Sequence, residues 1–308
     1  MLEINELVKN YGKFTAVDRL TLTVAKGEIC GFVGPNGAGK TTTMRIMAGL
    51  LKATSGNVII DGVDVTKNPR ALPEKIGYMP DFFGVYDNLK VTEYMDFYAG
   101  AYGIAYKDRA PIIDNLLKVV NLTDKKESYV DSLSRGMKQR LCLARSLVHD
   151  PELLILDEPA SGLDPRARVE MKEVLKRLQE MGKTIIISSH ILPELAEMCT
   201  EVCIMDKGRL AAQGSVQEIM QKLNQKRIIH VQPMGEMERM VGILKAQPLV
   251  RSIVENTKDV EFDFTGTNEE LAGVLKELIL ADIPLLYFKE KEGNLEEVFM
   301  QVTGGEGV

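Results

Sequence analysis

Gly34-Pro35-Asn36-Gly37-Ala38-Gly39-Lys40-Thr41-Thr42 fits the phosphate-loop pattern GxxxxGK[ST] at every fixed position. Its flanks are those the pattern needs. Glu28 to Val33 is a short apolar run suited to a buried strand, and from Thr42 to Leu51 the residues Met44, Met47 and Leu51 recur at helical spacing. Strand, glycine loop and helix therefore follow in order, which marks a nucleoside triphosphate site on an α/β sheet. Three glycines let the backbone curl so that successive amides point inward at phosphate oxygens, and the helix amino end adds partial positive charge. Lys40 is expected to bridge the β- and γ-phosphates and Thr41 to ligate Mg²⁺. The competing reading, a chance glycine-rich turn between strand and helix, does not account for the whole pattern with its flanks.

At 308 residues the chain exceeds the usual single-domain size, so one large domain and a smaller one are expected. Hydrophobic residues make up 45% and charged residues 27%, enough for a sizeable core and no cause to invoke extended disorder. The net charge of −6, with Lys and Arg interspersed among acids, argues against a nucleic-acid partner, which calls for a basic face. Met1 to Asn10 carries Glu3 and Glu6 and no long apolar core, unlike a secretory signal. No stretch approaches the roughly 18 consecutive apolar residues that spanning a membrane requires. Cys30, Cys142, Cys199 and Cys203 are scattered among apolar neighbours, which suits a reducing cytoplasm better than a disulfide framework. Cys199 and Cys203 would lie one turn apart on a helix, but nothing nearby completes a metal site.

Upstream of the loop, residues 2 to 8 and 20 to 24 read as antiparallel strands with Asn10, Tyr11 and Gly12 in a turn. Tyr11 could stack on a base or simply pack at a loop edge, and its spacing favours neither. Downstream, Gly56 to Gly62 and Ile76 to Met79 read as strands, the second ended by Pro80. Asp81 then stands where the chain leaves the sheet, and as an isolated residue it is a solvated loop acid. From Val91 to Val120 the pattern turns helical, with Tyr94, Phe97 and Tyr98 on one face.

Leu133-Ser134-Arg135-Gly136-Met137 opens a helix that runs through Leu147 and Val148. Ser134 there is placed either to cap it or to help bind an anion, and taken alone capping is the better reading. Asp150-Pro151 ends that helix. Leu153 to Leu156, four aliphatic residues, is a strand buried on both faces, and Asp157 and Glu158 follow at its carboxyl end, where open α/β sheets hold their ligands. Asp157 is expected to hold Mg²⁺ directly or through water, and Glu158 to orient and deprotonate the attacking water. Ser161-Gly162-Leu163-Asp164-Pro165 leads into an amphipathic helix, and Thr184 to Ser188 is a further buried strand ending in Ser189-His190. A lone histidine after a strand is more often structural, but this strand end faces the same sheet edge as Asp157.

With these motifs in hand, residues 1 to about 218 resemble the ATP-binding subunit of an ATP-binding-cassette (ABC) transporter. By that resemblance Tyr11 falls at the adenine-stacking aromatic, residues 34 to 42 at the phosphate loop, and 133 to 137 at the signature motif. Residues 153 to 158 fall at the Walker B strand, 161 to 164 at the D-loop with Asp164 as its acid, and His190 at the switch histidine. Two departures matter. The signature, commonly LSGGQ, keeps Ser134 and Gly136 but has Arg135 and Met137 in place of a glycine and the glutamine. Where the family commonly has a Mg²⁺-contacting glutamine, this chain has Asp81, whose carboxylate can also ligate Mg²⁺. Both variants are familiar in the branch that pairs with ABC-2-type permeases.

The resemblance implies a P-loop ATPase core with an antiparallel β subdomain and a helical subdomain at about residues 90–150. It also implies ATP and Mg²⁺ as ligands and a place on the cytoplasmic face of the membrane beside a permease. Two cassettes, identical or different, would enclose two ATP molecules, each held by the phosphate loop of one and by Ser134 of the other. ATP binding would close the dimer and hydrolysis release it, with His190 steadying the γ-phosphate. The alternative is a soluble cassette protein acting on the ribosome or DNA; such chains typically join two cassettes or insert a long coiled coil, and neither feature is present.

Residues 219–308 restart the pattern as strand (Ile228 to Val231), helix (Met237 to Leu244), two strands (Val250 to Glu255, Val260 to Phe264), helix (Glu269 to Leu280) and strand (Leu285 to Lys289). The order βαββαβ predicts a small ferredoxin-like α+β domain. Leu295 to Thr303 reads as a short amphipathic helix.

Overall fold

The computed structural model describes residues 1–69, 72, 74–82, 84, 86, 88–190, 195, 198–215, 218–219 and 227–290. They fall into two compact units, one within Met1–Val216 and one within Gln217–Gln301. The expected helix at Leu295 to Thr303 lies outside the described residues.

The first unit begins with a hairpin of β1 (Leu2–Tyr11) and β2 (Phe14–Val24). In β1, Leu2 and Ile4 point inward at period two. The register then shifts, with Glu6 at φ +46°, so that Leu7 faces the core and Glu6 does not. β2 is longer than the sequence pattern indicates because its polar residues alternate on the open face. Tyr11 is accordingly the last residue of β1, opposite Phe14, and the turn is Gly12-Lys13. β4 (Ser55–Ile60) and β5 (Val63–Asp64) extend this antiparallel sheet in the order β2-β1-β4-β5.

A six-stranded sheet packs beneath. It contains β3 (Ile29–Val33), β6 (Ile76–Met79), β7 (Leu153–Leu156), β8 (Thr184–Ser189), β9 (Glu201–Asp206) and β10 (Arg209–Gly214), in the order β10-β9-β3-β8-β7-β6. All neighbours are parallel except β10 with β9. Every residue of β3, β7 and β8 is buried, which is why these strands read as unbroken apolar runs. α1 (Lys40–Met47) buries Met44 and Met47 in the core shared by the two sheets. Cys203 sits on a strand, so it and Cys199 do not share a helix. Its Sγ lies 3.4 Å from that of Cys30, and all four cysteines are free.

Between β6 and β7 come α2 (Val91–Ala101), α3 (Tyr106–Val119) and α4 (Arg135–Ser146). The helical stretch from Val91 is thus two helices, broken at Gly103 with φ +75°. Tyr94 is fully buried, and Arg145 of α4 donates to the hydroxyls of Tyr94 and Tyr98, each at 3.3 Å, tying α4 to α2. α5 (Pro165–Glu180) follows β7, with Asp164 as its amino-terminal cap.

The second unit is an antiparallel sheet of β11 (Arg227–Pro233), β12 (Val250–Glu255), β13 (Val260–Phe264) and β14 (Leu285–Glu290), in the order β12-β13-β11-β14. α6 (Met237–Ala246) and α7 (Asn268–Leu280) contribute Met240, Leu244, Val274 and Leu278 to a core with Val231, Phe262 and Phe264. A Thr267–Glu270 capping box starts α7. This is the ferredoxin-like arrangement that the βαββαβ order predicts.

Candidate functional site

The carboxyl ends of β3, β7 and β8 lie side by side, so the loops that leave them converge. Gly39 has φ +99°, and a Cβ there would sit 2.5 Å from the carbonyl oxygen of Ala16, so only glycine fits. Gly34 is held equally closely, against the carbonyl of Met205. Lys40 is 7% exposed and its Nζ donates to the carbonyls of Gly34, at 2.6 Å, and Pro35, at 3.3 Å. The ammonium is thereby folded back over its own loop. Burial pulls its pKa down from the usual lysine value, with Glu158 and Asp157 acting in the opposite sense.

Asp157 is 1% exposed. Its Oδ1 accepts from Ser188 Oγ at 2.6 Å and from Thr41 Oγ1 at 3.3 Å, while its buried Oδ2 has no hydrogen-bond partner. A buried carboxylate oxygen without a donor, beside a threonine hydroxyl, is chemically suited to a hard divalent cation. Among the described residues no cluster of three or more His, Cys, Asp or Glu is arranged to hold a metal.

The amide of Glu158 donates to Ser188 Oγ at 2.9 Å, and Glu158 itself has φ +51°, an uncommon conformation for a side-chain-bearing residue. Its Oε2 lies 3.0 Å from Nδ1 of His190; since a carboxylate only accepts, Nδ1 carries the proton of that bond. Burial raises the pKa of Glu158 above the ordinary glutamate value, against the lowering influence of His190 and Lys40. A carboxylate so placed is suited to general-base work near neutrality.

Lys40, Thr41, Glu158 and His190 open onto one cleft of about 360 Å³, while Asp157 and Ser188 are buried and do not line it. Its walls include Tyr11, the loop residues Asn36 to Thr42, Asp81, Glu158 and His190, so residues from five separated stretches of sequence meet there. Phe14, Ala16 and Ser161 line it too. Sequence does not single out Phe14, although an aromatic on each side of a Gly-Lys turn is a visible pair. Nor does it single out Ser188, whose only signal is that an apolar strand ends in two serines. Ser134, Gly136 and Asp164 do not line this cleft. Ser134 accepts from the amide of Met137 at 3.3 Å, and Asp164 from that of Ala167 at 2.9 Å, each as a helix cap. Gly136 is buried with its Cα against Ala167, where a Cβ would come within 2.8 Å.

Residues 17–161 match the family model described as ABC transporter, and residues 214–303 match the C-terminal domain of DrrA1-3-like ATP-binding proteins. Linearmycin resistance ATP-binding protein LnrL of Bacillus subtilis (strain 168) is 32% identical over 306 residues, covering 99% of this chain and 98% of that protein. Nod factor export ATP-binding protein I of Ralstonia nicotianae is 32% identical over 307 residues, covering 99% of this chain and 94% of the relative. A solved structure of an ABC transporter ATP-binding subunit superposes with a TM-score of 0.64 at 29% identity, covering 72% of this chain and 92% of that one. With the phosphate loop, the acidic end of β7 and near-full-length relatives in agreement, this chain belongs to the ABC transporter ATP-binding proteins, which bind ATP and hydrolyse it to power transport.

Proposed function

We propose that the chain is the ATPase subunit of an exporter, acting at the cytoplasmic face of a membrane through a separate permease of the ABC-2 kind. The cassette would span residues 1 to about 218 and the accessory domain the remainder. The observation that carries the hydrolytic reading is the Glu158–His190 pair, 3.0 Å apart in the lining of a cleft that the phosphate loop also lines. In this reading the loop amides and Lys40 bind the ATP phosphates, and Lys40 exchanges its carbonyl partners for phosphate oxygens. Tyr11, with Phe14 beside it, stacks on the base. Mg²⁺ would be held by Thr41 and Asp157, with Asp81 within the same cleft, and when bound would neutralise charge developing on the phosphoryl oxygens. Glu158 accepts a proton from water as its oxygen attacks the γ-phosphorus and ADP departs, and His190 keeps the carboxylate aimed.

That Ser134, Gly136 and Asp164 stand off the cleft supports a head-to-tail pair of cassettes in which these helix starts serve the nucleotide of the other copy. Among the described residues no helix is long and apolar enough to cross a membrane, so the membrane element of the transporter would come from a partner. Tyr86 and, on α2, Phe97, both exposed, meet edge to face with ring centroids 5.4 Å apart, an aromatic pair suited to receive it. Export is supported by the names of the two relatives above, which concern resistance and export.

The test is ATP hydrolysis by the purified chain as a function of its concentration, with Glu158→Gln and Ser134→Ala alongside. Turnover per subunit should rise with concentration and fall by about 10²-fold or more in Glu158→Gln, while that variant still binds ATP. Near-wild-type turnover by Glu158→Gln would remove the assignment of the base.

A further inference from the structure

One of the two residues that set this signature motif apart, Arg135, reaches the loop that carries the base. Its Nη2 donates to the carbonyl of Ser161 at 3.1 Å, and Nε2 of Gln139, one turn further along α4, donates to the same oxygen at 3.2 Å. Two donors from one helix therefore saturate a single carbonyl on a loop that joins β7 to α5. The loop is shaped to offer it. Gly162 has φ +65°, and a Cβ there would lie 2.5 Å from the guanidinium, so the space that a side chain would fill is taken by Arg135. Ser161 itself lines the ATP cleft, and its amide donates to the carbonyl of Glu158 at 3.0 Å. The path from α4 to the base is thus three contacts long: guanidinium to the Ser161 carbonyl, Ser161 amide to the Glu158 carbonyl, and Glu158 carboxylate to His190.

We propose that Arg135 is a positioning residue for hydrolysis: with Gln139 it clamps the Ser161 carbonyl and so holds the 158–161 turn, with its left-handed Glu158, in the shape that aims the carboxylate into the cleft. The inference rests on Glu158 being the base. A charged donor on the loop carbonyl is stronger than a neutral one, and it is exposed, so it can be removed without opening the core. Gln139 is buried and supplies the second, neutral bond to the same carbonyl. A turn whose first residue is held in an uncommon conformation is stabilised by such external support.

The experiment compares wild type, Arg135→Ala, Arg135→Lys and Glu158→Gln in the full-length chain, measuring kcat and KM at saturating protein concentration and ATP affinity by equilibrium binding. Arg135→Ala should lower kcat about tenfold, because small displacements of a reacting group are costly, and leave ATP affinity within about twofold of wild type. Arg135→Lys, which keeps the charge but not the fork, should recover part of kcat. Wild-type kcat in Arg135→Ala overturns the clamp, as does a change confined to KM or to the concentration dependence, which would place Arg135 at the cassette interface alone. If Glu158→Gln also retains turnover, the assignment of the base has failed, and not merely the clamp.

Discussion

Ser188→Ala deletes one hydroxyl with two partners. In the native chain it donates to Asp157 Oδ1 at 2.6 Å and accepts from the Glu158 amide at 2.9 Å, in full burial. After the substitution Asp157 keeps only the Thr41 hydroxyl at 3.3 Å, since its other oxygen has no partner. A short hydrogen bond to a carboxylate contributes about 2 kcal/mol and one from a backbone amide about 1 kcal/mol, so the nucleotide-free protein should lose about 3 kcal/mol of stability. The vacated space is a single oxygen, too small for a water to restore either bond. The chain has no tryptophan, so unfolding in urea is best followed by far-ultraviolet circular dichroism. A double-mutant cycle with Asp157→Ala should return a coupling of about 2 kcal/mol. Turnover should fall about tenfold as well, because the Glu158 backbone loses its anchor. A coupling below about 0.5 kcal/mol together with wild-type kcat would refute the claim that Ser188 organises the acidic end of β7.

The pH profile of kcat follows from the burial of Glu158. Burial raises its pKa, so the basic form is lost, and the rate with it, as pH falls through a value above that of an ordinary exposed glutamate. His190→Ala removes a lowering influence and should move this acid limb further up in pH; a limb that stays in place would separate His190 from the base. At Gly39, φ +99° and the 2.5 Å approach to Ala16 act together, so Gly39→Ala should cost about 3 kcal/mol and abolish binding of a fluorescent ATP analogue. Gly37→Ala, with φ +85° but open space around it, should cost only about 1 kcal/mol; equal effects at the two positions would mean that the contact with Ala16 is unimportant.

Much of the molecule is legible before folding because its signals are local. The phosphate loop is a contiguous pattern whose glycines answer to backbone geometry at their own positions, and the buried strands β3, β7 and β8 announce themselves by lacking polar residues. The βαββαβ order of the second unit likewise follows from hydrophobic period alone. Ser134 is a helix cap by sequence and by structure, since a cap depends on only three neighbouring residues, and the structure adds Asp164 as the cap of α5.

What only the tertiary structure decides is which distant groups share an atom. The lone hydroxyl of Ser188 serves Asp157 and Glu158 because β8 lies beside β7, an adjacency that no local pattern encodes. Phe14 joins Tyr11 at the cleft because the hairpin turns at Gly12-Lys13 and pairs the two residues across the strands. Arg135 meets the Ser161 carbonyl because Gly162 turns left-handed and leaves room for a guanidinium. Sequence by itself determined the chemistry on offer: a triphosphate loop, a pair of acids after a buried strand, and a histidine at the next strand end. Chain reversal and strand order decided the rest, because hydrogen bonds act over about 3 Å and their partners here are 26 to 31 residues apart.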